Sequence, residues 1–157
     1  MGMVKVSNKT QSEKTLSLIV PGAIRLKNHS VKAGSSNSPE GNADACLKWR
    51  TSARIWALYS IDSMEFPFKE ACNVEVRIYY DGKRPDLAEC LESIGDCFQR
   101  IIWFDQKQIA SWDGSKIIED DVYPRLDMTI RWQDRGIVNE SGNHRTHSGN
   151  IKRYGRA

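Results

Sequence analysis

Polar and apolar positions alternate strictly along Asn73 to Tyr80, with Val74, Val76 and Ile78 on one side and Glu75, Arg77 and Tyr79 on the other. A period of two predicts a strand with one buried face. Leu126 to Trp132 repeats the pattern and predicts the last strand. Thr15 to Val20 is a short β-prone run that Pro21-Gly22 ends. Two segments carry a helical pattern instead. Ala43 to Ser60 is rich in Ala, Leu, Trp and Arg without Gly or Pro, and sets Arg50 and Arg54 on one face. Pro67 breaks the segment after it. Beyond an Asp81-Gly82 turn, Pro85 suits the first position of a second helix. On a helical wheel Leu87, Cys90, Leu91, Ile94, Cys97 and Phe98 gather on one face, and Glu89, Glu92 and Asp96 on the other. Ile101 to Phe104 reads as a buried run, Ile109 to Trp112 as a strand, and Asp113-Gly114 as a hairpin turn.

Strands alternating with helices predict an α/β fold, a single mixed β-sheet flanked by helices. At 157 residues the chain is expected to form one domain. Residues 1–14 form a polar N-terminal segment, 15–132 the domain, and 133–157 a basic, glycine-rich tail. Ala33 to Asn42, AGSSNSPEGN, has the composition of a flexible loop. No apolar run reaches the length that crosses a bilayer, and the first residues lack the apolar centre of a signal peptide. A cytoplasmic protein without membrane contact is the expectation.

Charge changes this picture only locally. The net charge is +3, and the tail beyond Trp132, with Arg135, Arg145, Lys152, Arg153 and Arg156, accounts for an excess of that size. The body is therefore near neutral, and a basic surface on it must be local. Cys46, Cys72, Cys90 and Cys97 form no Cys-x-x-Cys pair, and His29, His144 and His147 are remote from them in sequence. Reduced, mostly buried thiols fit this spacing better than a zinc site. Five tryptophans, Trp49, Trp56, Trp103, Trp112 and Trp132, serve the core, with one or two available for stacking on splayed bases.

The order strand, basic loop, helix, strand, Arg-x-Asp-Leu helix, Trp-x-Asp turn, strand resembles the RusA family of Holliday junction resolvases. The likeness covers about Thr15 to Trp132. Its most specific part is Arg84 to Gln108, within KRPDLAECLESIGDCFQRIIWFDQKQ, where Arg84, Asp86, Leu87, Leu91, Asp96, Trp103, Asp105 and Gln108 fall in step with the family pattern once one residue is deleted before Trp103. The resemblance implies a homodimer of α/β fold that cuts four-way DNA junctions with Mg²⁺ (or Mn²⁺). Metal-assisted phosphodiester hydrolysis needs a metal to activate water and hard oxygen ligands to hold it. A lysine near the phosphate steadies developing charge.

Carried over position by position, Asp86 takes the place of the first catalytic aspartate, and Ala88 that of the second. Glu89 replaces an asparagine, and Glu92 stands at the lysine. Asp105 matches the first aspartate of the Asp-Asp pair, and Gln106 the second, which is the catalytic one. A strict carry-over keeps Asp86 as the one catalytic carboxylate; a rebuilt site would hold the metal with Asp86 and Asp105, use Glu89 on the Asp86 face as a third catalytic carboxylate, and take Lys83 or Lys107 as the replacement cation. The alternative is that Glu89, Glu92 and Asp96 form a solvated helix face. DNA contacts are expected from Arg25, Lys27, Lys32, Arg50, Arg54, Lys83, Arg84, Lys107 and Lys116, together with the tail. Asp113 is a hairpin residue or, with Lys116, faces the phosphate site. Three functions are open: a Mg²⁺-dependent endonuclease acting on branched DNA in recombination or repair; a degenerate relative that binds junctions without cutting; a protein-interaction module reusing the fold.

Overall fold

The computed structural model describes residues 12–27, 39–61 and 65–134. In chain order these form β1 (Ser12–Pro21), α1 (Pro39–Ser60), β2 (Cys72–Tyr80), α2 (Leu87–Cys97), a 3₁₀ turn (Gln106–Gln108), β3 (Ile109–Ser111), β4 (Lys116–Glu119) and β5 (Arg125–Asp134). The fold is α/β, one mixed five-stranded sheet carrying two helices. Among the described residues no helix is long and apolar enough to cross a membrane.

The two alternating segments become neighbours. β5 lies between β1 and β2 and pairs antiparallel with both, Leu18 opposite Met128 and Val76 opposite Met128. Side chains opposite one another share a face. Leu18, Val20, Val74, Val76, Ile78, Leu126, Met128 and Ile130 thus form one buried sheet surface. Both helices join that surface in a single core. α1 contributes Trp49, Ala53 and Ala57, and α2 contributes Cys90, Ile94 and Cys97. The expected sheet flanked by helices is, among the described residues, covered on one face. The other face carries Ser17, Glu75, Arg77, Asp127, Thr129 and Arg131, where Arg131 pairs with Glu75 at 3.0 Å. A half-solvated sheet alternates in this way because only one of its faces has a layer to pack on.

β1 begins at Ser12, three residues before the expected start, because Lys14 near its open end is held by Glu65 at 2.8 Å and Asp134 at 3.3 Å. α2 starts at Leu87 rather than at Pro85, since the Asp86 carboxylate accepts the Glu89 backbone N–H at 3.0 Å and caps the helix. Pro85 is buried just before the cap, and Leu87 keeps 36% of its surface instead of joining the core. Ile101, Ile102 and Trp103 are buried as expected, and Phe104 is 38% exposed. All four cysteines are free and buried. Burial pushes the Cys72 thiol up to about 11, Cys90 to about 12 and Cys97 to about 11, which keeps them protonated at neutral pH.

Asp113-Gly114 does not close a hairpin. β3 and β4 both run parallel to β2, β3 at Cys72 and Asn73 and β4 from Arg77 to Tyr80. The turn is a jog along one sheet edge. The Asn73 side chain holds it, accepting from Ser111 Oγ at 2.6 Å and Asp113 N at 3.0 Å. The Ser115 hydroxyl fills the gap in the ladder, accepting from Val76 N at 3.0 Å and donating to the Val74 carbonyl at 3.3 Å. Gly114 sits at φ +88°, and a Cβ there would lie 3.0 Å from the Glu75 carboxyl carbon.

Gly114→Ala therefore meets both a left-handed backbone and a side chain anchored by Arg131. We expect a stability loss of about 1–2 kcal/mol by urea unfolding. An unchanged midpoint would show that the jog relaxes freely.

Candidate functional site

The acidic face of α2 is solvent-exposed at Glu89, Glu92 and Asp96, as the alternative reading of these residues expected. Glu89, Glu92, Ser93 and Asp96 form one wall of a cleft of about 340 Å³. Arg50 and Cys46 of α1 and the Leu26-Lys27 segment after β1 form the facing wall, and Gln106 closes one end. Helical spacing explains the first wall, because residues three and four apart stack on one face. Gln106 approaches α2 closely because Gly95 has no side chain: a Cβ there would lie 3.1 Å from Gln106 Oε1.

Arg50 crosses the cleft and pairs with Asp96. Partial burial opposes its charge, and the hydrogen bond it donates to Asp96 together with that carboxylate's field more than offsets it, so the guanidinium pKa is raised. The cleft continues past Lys27, Cys46 and Arg50 into a groove of about 240 Å³ along α1, which adds Ala43, Leu47, Thr51 and Arg54. No carboxylate lines that groove among the described residues. The floor is acidic on α2 and basic on α1, joined at Arg50.

The residues carrying the family likeness have structural tasks. Trp103 Nε1 donates to the Gly95 carbonyl at 2.9 Å inside the core. Asp105 caps the 3₁₀ turn, its carboxylate accepting Lys107 N at 2.8 Å, while its own backbone N–H donates to Gln108 Oε1 at 2.7 Å. Gln108 Nε2 then donates to the carbonyls of Phe68 at 2.8 Å and Glu70 at 3.0 Å. The Trp-x-Asp-x-x-Gln string is a knot that ties α2 to the segment before β2.

Of the three expected catalytic carboxylates, only Glu89 lines the cleft; Asp86 and Asp105 are the caps of α2 and of the 3₁₀ turn. Glu92 and Gln106, standing where the resemblance puts the lysine and the last aspartate, do meet there. Among the described residues no group of three or more His, Cys, Asp or Glu is placed to hold a metal ion. Mg²⁺ takes several hard oxygens in a tight octahedron. Among the described residues no preformed protein cage for Mg²⁺ or Mn²⁺ is present.

The expected DNA contacts divide. Lys27, Arg50 and Arg54 share the groove. Arg25 lies 3.8 Å from Asp81. Lys83 and Arg84 are exposed before α2, Lys107 is exposed in the 3₁₀ turn, and Lys116 opens β4. Asp113 is exposed, with its backbone bound to Asn73. Lys32, His29, the loop before α1 and the tail lie outside the described residues. Trp49, Trp103 and Trp132 are core residues, and Trp56 is 45% exposed on α1. Ser93 and Cys46 were not among the sequence candidates, and nothing local marked them. No family model and no curated protein matches this chain.

The capping geometry separates two roles for Asp86. Asn caps a helix as well as Asp does, whereas Ala does not. Asp86→Ala should lower stability by about 1 kcal/mol in urea unfolding, and Asp86→Asn by no more than a few tenths. Equal loss in both variants would show that the charge, and not the cap, is what the fold uses.

Proposed function

We propose that this chain binds branched DNA, with the four-way junction as the reference substrate, through its phosphate backbone and without a cutting centre of its own. The observation that carries this reading is the groove holding Lys27, Arg50 and Arg54 with no carboxylate among its lining residues. Lys27 and Arg54 form no ion pair among the described residues, so a phosphate displaces no partner from them. Such contacts hold nucleic acid without reading its sequence. The α2 wall bears on cutting instead. Glu92 occupies the place of a lysine that would steady a reacting phosphate, and a carboxylate there repels one. A homodimer belongs to this proposal, because a two-fold protein matches the symmetry of a four-way junction.

A labelled four-way junction and a linear duplex, incubated with the protein in EDTA, Mg²⁺ and Mn²⁺, test this directly. Each lane is read for mobility shift and for cleavage. We expect a junction shift that does not require metal, weakens steeply with salt and leaves the strands intact. Lys27→Gln with Arg54→Gln should lower the slope of log affinity against log salt by about 1.8, about 0.9 per lost phosphate contact. Paired symmetric nicks in Mg²⁺ would establish the endonuclease reading in its place. Absence of any shift would favour the protein-interaction reading. Sedimentation of the free protein reads the dimer.

A further inference from the structure

Arg100 is the one non-glycine residue among the described residues with positive φ, at +68°. It lies in the turn between α2 and Trp103, where its backbone N–H donates to the Trp103 carbonyl at 2.7 Å. A left-handed backbone is costly for a residue with a Cβ, and glycine would occupy it freely. The arginine side chain is therefore kept against a local conformational cost.

That side chain is exposed and oriented. Its guanidinium lies over the Phe104 ring, 3.7 Å from the centroid, and Lys69 Nζ is 5.3 Å from the same centroid. Neither cation forms an ion pair among the described residues. Glu70, beside Lys69, turns its carboxylate to the Lys69 backbone N–H at 3.0 Å. The three residues come from two segments bound firmly to each other. Phe68 N donates to the Ile102 carbonyl and Phe104 N to the Phe68 carbonyl, each at 3.1 Å. Gln108 also holds the carbonyls on both sides of Lys69. A guanidinium stacked on an aromatic ring loses little freedom on binding, and its N–H edge remains open to an oxyanion.

We propose that Arg100, oriented by Phe104 and seconded by Lys69, is a second phosphate contact for DNA, on the turn beyond α2 and separate from the Lys27–Arg54 groove. This rests on the DNA-binding reading above and names a further part of the same interface. A guanidinium fork matches a phosphate better than an ammonium does.

The test compares wild type, Arg100→Gln, Arg100→Gly and Phe104→Leu for four-way junction affinity across a salt series, with melting temperature measured on each. Arg100→Gln should weaken binding several-fold and reduce the log–log salt slope by about 0.9, one phosphate contact. Arg100→Gly should show the same loss while keeping or raising the melting temperature, which a merely structural arginine would not do. Phe104→Leu, which keeps the charge, should weaken binding with the slope unchanged. If wild type binds and the Arg100 variants match it in affinity and slope, the second contact is overturned and the DNA-binding reading stands. If wild type binds no DNA at any salt, both fall together.

Discussion

The hydrogen bond from the Trp103 indole to the Gly95 carbonyl, within the core, is the constraint on which the rest of the molecule turns. A buried indole N–H needs a partner, and leaving either group unpaired costs about 1–3 kcal/mol. Because Gly95 lies in the last turn of α2, where carbonyls lack intrahelical partners, and Trp103 follows the helix, the bond folds the chain back against α2. Trp103 also meets Phe98 edge-on, with centroids 6.0 Å apart. The turn that begins there places Asp105, Gln106 and Gln108 in order. Gln108 then carries the constraint across to Phe68 and Glu70, just before β2. α2, its following turn and the Phe68–Glu70 segment before β2 are thereby tied into one unit.

The same unit decides what the cleft contains. Gln106 reaches α2 only because the turn is knotted and Gly95 is bare. Arg50 from α1 meets Asp96 only because both helices lie on one sheet face. The consequence is a site of mixed charge, acidic on α2 and basic on α1. A polyanion approaching it meets the groove of Lys27, Arg50 and Arg54 first favourably, then the carboxylates unfavourably. Under the proposed function, a phosphate backbone is held along α1 rather than drawn into the α2 wall.

Residues shared with a family motif need not carry its chemistry. Asp86, Trp103, Asp105 and Gln108 are the strongest points of the likeness, and each is a cap or a staple here. Removing any of them would cost stability directly. Glu92 and Gln106 are neither caps nor staples and line the cleft instead.

Alternation along Asn73 to Tyr80 and Leu126 to Trp132 was sufficient to read two strands and their buried faces, because a period of two is a local property of extended backbone. Helical spacing likewise separated the apolar face of α2 from Glu89, Glu92 and Asp96. The α/β class followed from the order of these elements. Other features were beyond local reading. β4 and the jog at Asp113-Gly114 exist because β2 offers a parallel edge, and Asp-Gly signals only that the chain turns, not which strand it rejoins. Asp86 became a cap by one residue of offset, set by its contact with Glu89 N. The pairing of Arg50 with Asp96, and the joining of Lys27 and Arg54 into one groove, required two helices and a loop to converge. Local pattern determined which faces are apolar. Only tertiary packing, which brings together groups far apart in the chain, decided which charges face each other.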